Sequence, residues 1–66
     1  MITFDPFWKT LKEKHITQYD LITKYNVSRS MLDKLRHNKS ITLVTLNDLC
    51  IMLDCNVSDI IEFKKE

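Results

Sequence analysis

The side chains best suited to contact a partner are concentrated in one short stretch, KYNVSRSMLDKLRHNKS, which spans residues 24–40. Its apolar residues recur at helical spacing, so the stretch predicts a short helix with one buried side. The other side carries hydrogen-bond donors and positive charge, from Arg29, Ser30, Lys34, Arg36 and His37. Such a face either binds a polar or anionic partner or is simply solvated.

Enzymatic chemistry has little support in this sequence. His15 and His37 have no acidic or nucleophilic partner at a motif spacing, and a chain without glycine cannot build a glycine-rich phosphate loop. The 66 residues also leave little material for the walls of a substrate pocket. We therefore expect a binding protein and not an enzyme, with no cofactor and no small-molecule ligand.

Two cysteines, Cys50 and Cys55, indicate reduced thiols in an intracellular protein. On or near one helix their Cα atoms would lie about 8 Å apart, beyond the roughly 7 Å limit for an unstrained disulfide. A zinc site would need a second close pair of ligands, so we expect two small buried hydrophobic residues and no metal. The N-terminal stretch does not resemble a signal peptide and no segment is long enough to span a membrane, which predicts a cytoplasmic protein.

Helices must position the polar face. A chain of this length forms one domain, residues 1–66. We predict a first helix capped by Asp5 and ending near Lys14, a second from Thr17 to Asn26, a third from Ser28 to about His37, a fourth over residues 42–53, and a last short helix starting at Asn56 or Ser58. The fold class is therefore all-α, a compact bundle of five short helices without a strand.

Helical spacing also predicts the core and the helix ends. Asparagine or aspartate replaces glycine at the stops, because these residues tolerate positive φ better than most; the predicted stops are Asn26, Asn38, Asp54 and Asn56. The predicted inward-facing residues are Phe7, Trp8, Leu11, Leu21, Ile22, Tyr25, Leu32, Leu35, Leu43, Leu46, Leu49, Cys50, Leu53, Val57, Ile60 and Ile61.

Two helices joined by a very short turn, the second cationic on its outer side, form a helix-turn-helix. The stretch TQYDLITKYNVSRSMLDKLRHNKS, followed by TLNDLCIMLDCNVSDIIEF, resembles the Cro/XRE family of lambda-repressor-like DNA-binding domains over nearly the whole chain. The resemblance is carried by Gln18, Leu21, Val27, Ser28, Leu32, Leu35 and the closing leucine and Ser-Asp-Ile-Ile pattern. It departs from the family at Ile22, usually alanine, at Asn26 and Asn38, usually glycine, and at Arg36, usually acidic.

This resemblance implies that helix 3, about Ser28 to His37, enters the major groove of double-stranded DNA. The implied base contacts are Arg29, Ser30, Lys34 and Met31. Arg29 suits guanine, whose O6 and N7 a guanidinium spans, whereas Met31 either touches a thymine methyl or packs partly into the core. The implied phosphate contacts are Gln18, Ser28, Arg36, His37, Asn38 and Lys39. Gln18 has an alternative as an ordinary solvated side chain.

Charge and surface apolarity refine this interpretation. The net charge is only +1, but residues 24–40 hold five basic residues against one acidic, a net +4, and residues 41–66 hold two against five, a net −3. One side therefore attracts DNA and the other repels it. Val44 and Ile51 are apolar where the family is usually polar. Together with Phe63 near the C-terminus, they form either a homodimer surface or ordinary exposed positions.

The sequence thus predicts a sequence-specific double-stranded DNA-binding transcriptional regulator, a small repressor that occupies an operator and blocks polymerase, as a homodimer at least on DNA. The alternative is a protein-interaction module on the same fold, such as an antitoxin or an adaptor, which does not read DNA.

Overall fold

A computed structural model describes residues 1–65 as a helical domain closed by a two-stranded ribbon. Its elements are β1 (Ile2–Thr3), α1 (Asp5–Glu13), α2 (Gln18–Thr23), α3 (Arg29–Arg36), α4 (Leu43–Leu53), a 3-10 turn (Val57–Asp59) and β2 (Glu62–Phe63). The strands are antiparallel, with Ile2 opposite Phe63 and Thr3 opposite Glu62. The mostly helical class and the helix-turn-helix are confirmed.

The predicted fifth helix and the predicted absence of strands are both wrong. Asn56 does begin a turn. Its backbone N–H donates a hydrogen bond to Oδ2 of Asp59 at 3.0 Å. That turn lasts only three residues, because the chain then extends to pair with β1. The strand partner lies at the opposite end of the chain, so no local pattern shows it.

At the starts of α2, α3 and α4, side-chain oxygens satisfy free backbone N–H groups. Thr17 and Asp20 form the expected capping box, in which Asp20 N–H donates to Thr17 Oγ1 at 3.0 Å and Thr17 N–H to Asp20 Oδ2 at 3.1 Å. The predicted cap at Asp5 is wrong: Phe4 is the capping residue, and its N–H donates to the side-chain oxygen of Asn38 at 2.8 Å. The start of α1 is therefore tied to the end of α3.

Four residues with positive φ end helices α1 to α4 or their following turns. Asn26, Asn38 and Asp54 have φ of 57°, 54° and 50°, as their residue types predicted. Asn56 is wrong as a stop, with φ of −90°, and His15, with φ of 58°, was not foreseen. After His15 the N–H of Ile16 donates to Leu11 O at 2.9 Å, the bond that closes a left-handed helix end.

The core lies between all the helices. Its buried hydrophobic residues are Phe4, Phe7, Leu11, Leu21, Val27, Leu32, Leu35, Leu46, Leu49, Leu53 and Ile60. Leu43 is a wrong prediction, 81% exposed, because it is the first residue of α4 and has no preceding helical turn beneath it. Tyr25 is also exposed, since α2 ends two residues before it, and so is Val57, on the 3-10 turn.

The two cysteines meet at the end of α4. The positive φ of Asp54 turns the chain back, so that Cys55 N–H donates to Cys50 O at 3.0 Å. Cys55 therefore lies just after the end of α4, near the helix that carries Cys50. Both thiols are free and half-buried. Burial, and then the neighbouring Cys50, raises the pKa of the Cys55 thiol. Both cysteines pack against the core as small hydrophobic residues.

Candidate nucleic-acid interface

Helix α3 presents a polar outer face on an apolar anchor. Leu32 and Leu35 are buried beneath it, whereas Arg29, Ser30 and Lys34 lie on the outer side. Met31 is half-buried against the core, so packing accounts for at least part of its side chain. The structure therefore brings together the three outward residues predicted to contact bases.

Ser28 holds the start of α3. Its hydroxyl oxygen accepts from Met31 N–H at 3.1 Å and lies 3.1 Å from the Ser30 hydroxyl oxygen. The capping bond uses one acceptor site of Ser28, and its hydroxyl proton remains available to Ser30 or to a bound group. The predicted phosphate contact at Ser28 thus coexists with a structural role.

Gln18 and Arg36 form one unit across the two helices of the motif. Arg36 Nη2 donates to Gln18 Oε1 at 2.6 Å. The Arg36 guanidinium carbon also lies 6.0 Å from the ring centroid of Trp8, within reach of a cation–π interaction. Trp8 is itself held edge-on against Phe7, with ring centroids 4.9 Å apart.

The polar ends of three side chains line a crevice between α2 and α3. Its cavity of about 280 Å³ is lined by Gln18, Arg29 and Arg36, with Ile22 and Leu32 as its floor. Two guanidinium groups beside an amide can donate hydrogen bonds to an anionic backbone at the mouth of this crevice. Ile22 is half-buried beside this crevice.

The far end of α3 holds a second group of polar side chains around Asp33. His37 Nδ1 lies 2.9 Å from the Asp33 carbonyl oxygen and 3.2 Å from its Oδ1, and Lys39 Nζ lies 3.8 Å from Oδ2. Exposed ion pairs of this kind are weak. Lys39 can therefore exchange Asp33 for a phosphate at little cost, and the exposed His37 lies beside it.

Asn38 is partly committed to the fold. Its side-chain oxygen accepts the Phe4 N–H, which leaves the side-chain NH₂ as the group able to reach a phosphate. Predicted phosphate contacts therefore fall into two groups, Gln18 with Arg36 and His37 with Lys39, with Asn38 beside the second.

A second, apolar surface lies on the acidic half of the chain. Val44, Ile51 and Phe63 are 71%, 72% and 68% exposed, as predicted for surface residues. Leu43 and Ile2 belong with them: Ile2 lies opposite Phe63 in the ribbon, and Ile2 and Leu43 line one groove of about 470 Å³.

Sequence reasoning missed two positioning residues. Trp8 was assigned to the core, but it is half-buried and supports Arg36. Asp33 was counted only as a charge, although its spacing of four residues from His37 is a signal for a helical pair. Within residues 1–65, three potential metal ligands do not come together, and no helix has the length and apolarity needed to cross a bilayer.

Comparison with known proteins identifies the fold. The family model of Cro/C1-type helix-turn-helix DNA-binding domains matches residues 7–66. The crystal structure of the transcriptional regulator VanUg, form II, is similar with a TM-score of 0.84 and 31% sequence identity, over 98% of this chain and 87% of that one. No curated protein sequence matches the chain. With a family match across most of its length, the chain belongs to the Cro/C1-type helix-turn-helix DNA-binding domains.

Proposed function

We propose that this protein is a transcriptional regulator that recognises a specific sequence in double-stranded DNA by placing α3 in the major groove. The observation that carries the proposal is the outer face of α3, where Arg29, Ser30 and Lys34 are exposed above a buried leucine anchor. An α-helix fits the major groove, and arginine there reads guanine through O6 and N7.

The phosphate-binding groups support the same orientation. Gln18 with Arg36 forms one group beside the face, and His37 with Lys39 forms the other. Contacts that flank a recognition helix hold it in register on the duplex, while its outward residues read bases. The similarity to a transcriptional regulator supports a regulatory role for this binding.

We further propose repression by occupancy. A folded domain on an operator that overlaps a promoter blocks polymerase without any additional contact. Two copies on two-fold related half-sites, about one helical turn apart, would double the recognised sequence.

Selection from random DNA duplexes tests this function. We expect enrichment of one sequence made of two inverted half-sites, and reduced transcription in vitro when that sequence overlaps a promoter. As a matched control, Lys65→Ala removes a positive charge from the acidic half of the chain and should enrich the same sequence. If the folded protein enriches no sequence, the alternative of an interaction module that does not read DNA replaces this proposal.

A further inference from the structure

A polar pocket lies between α1 and the two helices of the motif, beside the hydrogen bond that joins Arg36 to Gln18. Its volume is about 350 Å³, and it is lined by Asp5, Trp8, Gln18, Arg36 and Asn38. We call it the α1 pocket. Four of these five side chains carry N–H groups, so the pocket is suited to a group that accepts several hydrogen bonds.

Trp8 contributes a hydrogen-bond donor that the fold does not use. Its ring is held in place, because it packs edge-on against Phe7 and lies 6.0 Å, measured from its centroid, from the guanidinium carbon of Arg36. Among residues 1–65, Thr3 Oγ1 is the only buried side-chain polar atom without a hydrogen-bond partner. The indole N–H of the half-buried Trp8 donates to no group of the described chain, so it must be open to solvent.

The two amides of the pocket are oriented by hydrogen bonds to their oxygens. Arg36 donates to the side-chain oxygen of Gln18 at 2.6 Å, and the backbone N–H of Phe4 donates to that of Asn38 at 2.8 Å. Each amide therefore keeps its NH₂ group for a ligand. Donors that are already oriented lose less conformational entropy on binding than free side chains do.

Asp5 is the one acidic residue in the lining, and Lys64 offsets its charge. Nζ of Lys64 lies 2.6 Å from Oδ2 of Asp5. The hydrogen bond to Asp5 also raises the pKa of the Lys64 ammonium group, which therefore stays charged. With Asp5 paired in this way, the guanidinium group of Arg36 leaves the pocket with a net positive charge.

We infer that the α1 pocket binds one phosphate of the DNA backbone, and that Trp8 donates its indole N–H to this phosphate beside Arg36 and Gln18. The inference rests on the proposed function, in which α3 sets the position of the duplex. It adds α1 to the interface and gives Trp8 a direct contact besides its support of Arg36. Phosphate contacts of this kind fix the register of the protein on the duplex but do not read its sequence.

Trp8→Phe tests the contact, because it removes the indole N–H and keeps an aromatic ring between Phe7 and Arg36. Affinity should fall roughly threefold to tenfold, as expected for one hydrogen bond at the surface. The selected and the scrambled duplex should lose the same factor. Circular dichroism verifies that the variant retains its helices. In an Arg36→Ala background, Trp8→Phe should still lower the affinity. A loss that disappears there would make Trp8 only a support for Arg36 and overturn the inference.

Methylphosphonate substitution locates the phosphate. Each backbone phosphate of the selected duplex is replaced in turn by an uncharged methylphosphonate, which removes the charge and one acceptor oxygen. At one position in each half-site, the affinity losses from this change and from Trp8→Phe should not add. As a control, Lys39→Ala belongs to the other phosphate-binding group, so its loss should add at that position. Additive losses for Trp8→Phe at every position would overturn the inference.

The pairing of Asp5 provides a second test with a matched control. Lys64→Ala leaves the Asp5 carboxylate unpaired beside the phosphate, whereas Lys65→Ala removes the same charge from the neighbouring residue, outside the pocket. We expect Lys64→Ala to weaken DNA binding several-fold more than Lys65→Ala. Equal losses for the two variants would place the phosphate away from Asp5, and so outside the α1 pocket.

Failure of the inference and failure of the proposed function give different results. Enrichment of one DNA sequence, with equal affinities for Trp8→Phe and the unaltered chain, would overturn the inference alone. Equal binding of all duplexes, with the loss for Trp8→Phe retained, would contradict sequence recognition and support the phosphate contact. A folded chain that binds no duplex would overturn both.

Discussion

The Nη2 atom of Arg36, the last residue of α3, donates a hydrogen bond to Oε1 of Gln18, the first residue of α2, at 2.6 Å. The bond joins the two helices of the motif at the surface proposed to face DNA. Because Arg36 occupies the oxygen of Gln18, the Gln18 NH₂ group remains the donor for a phosphate. The Arg36 side chain thus orients the Gln18 amide.

This link predicts that Gln18 and Arg36 act together in DNA binding. The affinity losses of Gln18→Ala and Arg36→Ala should not add, with an interaction free energy of about 0.5–3 kcal/mol. Titration of the selected duplex with both single variants and the double variant measures it. The control pairs Gln18→Ala with Lys34→Ala, an exposed cation elsewhere on α3, where we expect additive losses. Additive affinity losses for Gln18→Ala and Arg36→Ala would show that the hydrogen bond between these side chains does not contribute to DNA binding.

Base reading and phosphate binding should separate at Arg29 and Lys39. Arg29→Ala should cost about 1–3 kcal/mol on the selected sequence and relax the preference at one base pair of each half-site. Lys39→Ala should weaken binding to all sequences about equally. It should also lower the slope of log affinity against log salt concentration by about one per lost phosphate contact.

Titrations against the selected and a scrambled duplex at several salt concentrations distinguish these two results. Equal losses on both duplexes for both variants would mean that α3 is a cationic surface without base reading. No loss for either would favour the interaction-module alternative.

Matched leucine substitutions test the core. Leu32→Ala or Leu49→Ala should lower the free energy of unfolding by roughly 2–5 kcal/mol, a large share of the stability of a domain this small. Leu43→Ala removes the same atoms from an exposed position and should change stability far less. Thermal unfolding gives both values at a concentration where the chain is monomeric. A melting temperature for Leu32→Ala close to that of Leu43→Ala would contradict the assigned burial.

Acid should weaken the start of α2. The backbone N–H of Thr17 is the main cause that holds the pKa of Asp20 below its ordinary value of 3.8, and Lys24 adds to the effect. A carboxyl whose pKa is lower when folded stabilises the fold above its ordinary pKa, and this stabilisation is lost as pH falls through the folded-state value. Asp20→Asn should therefore be less stable than the unaltered chain at neutral pH, with the difference shrinking below about pH 4.

Urea unfolding across this pH range measures the difference. As a control, Asp48→Asn makes the same change of charge at an exposed residue of α4. Its difference in free energy of unfolding from the unaltered chain should vary much less with pH. A constant difference for Asp20→Asn at all pH values would mean that its carboxylate does not stabilise the fold.

Local patterns in the sequence determined the helices and most of their ends. The capping box at Thr17, the stops at Asn26, Asn38 and Asp54, and the polar face of α3 follow from interactions within about one or two turns of chain. The same reasoning failed where a helix was shorter than its pattern. Tyr25 lies beyond the last turn of α2, and Leu43 begins α4, so periodicity assigned both to a side that has no core beneath it.

Only the tertiary structure decided the contacts between distant segments. The ribbon pairs Ile2 with Phe63, Asn38 accepts from Phe4, and Arg36 reaches both Gln18 and Trp8. None of these pairs has a periodic signature, because each depends on how already formed helices pack. Residue types and spacing therefore predicted the chemistry of α3. The orientation of its side chains depends on neighbouring residues that only the folded structure brings close.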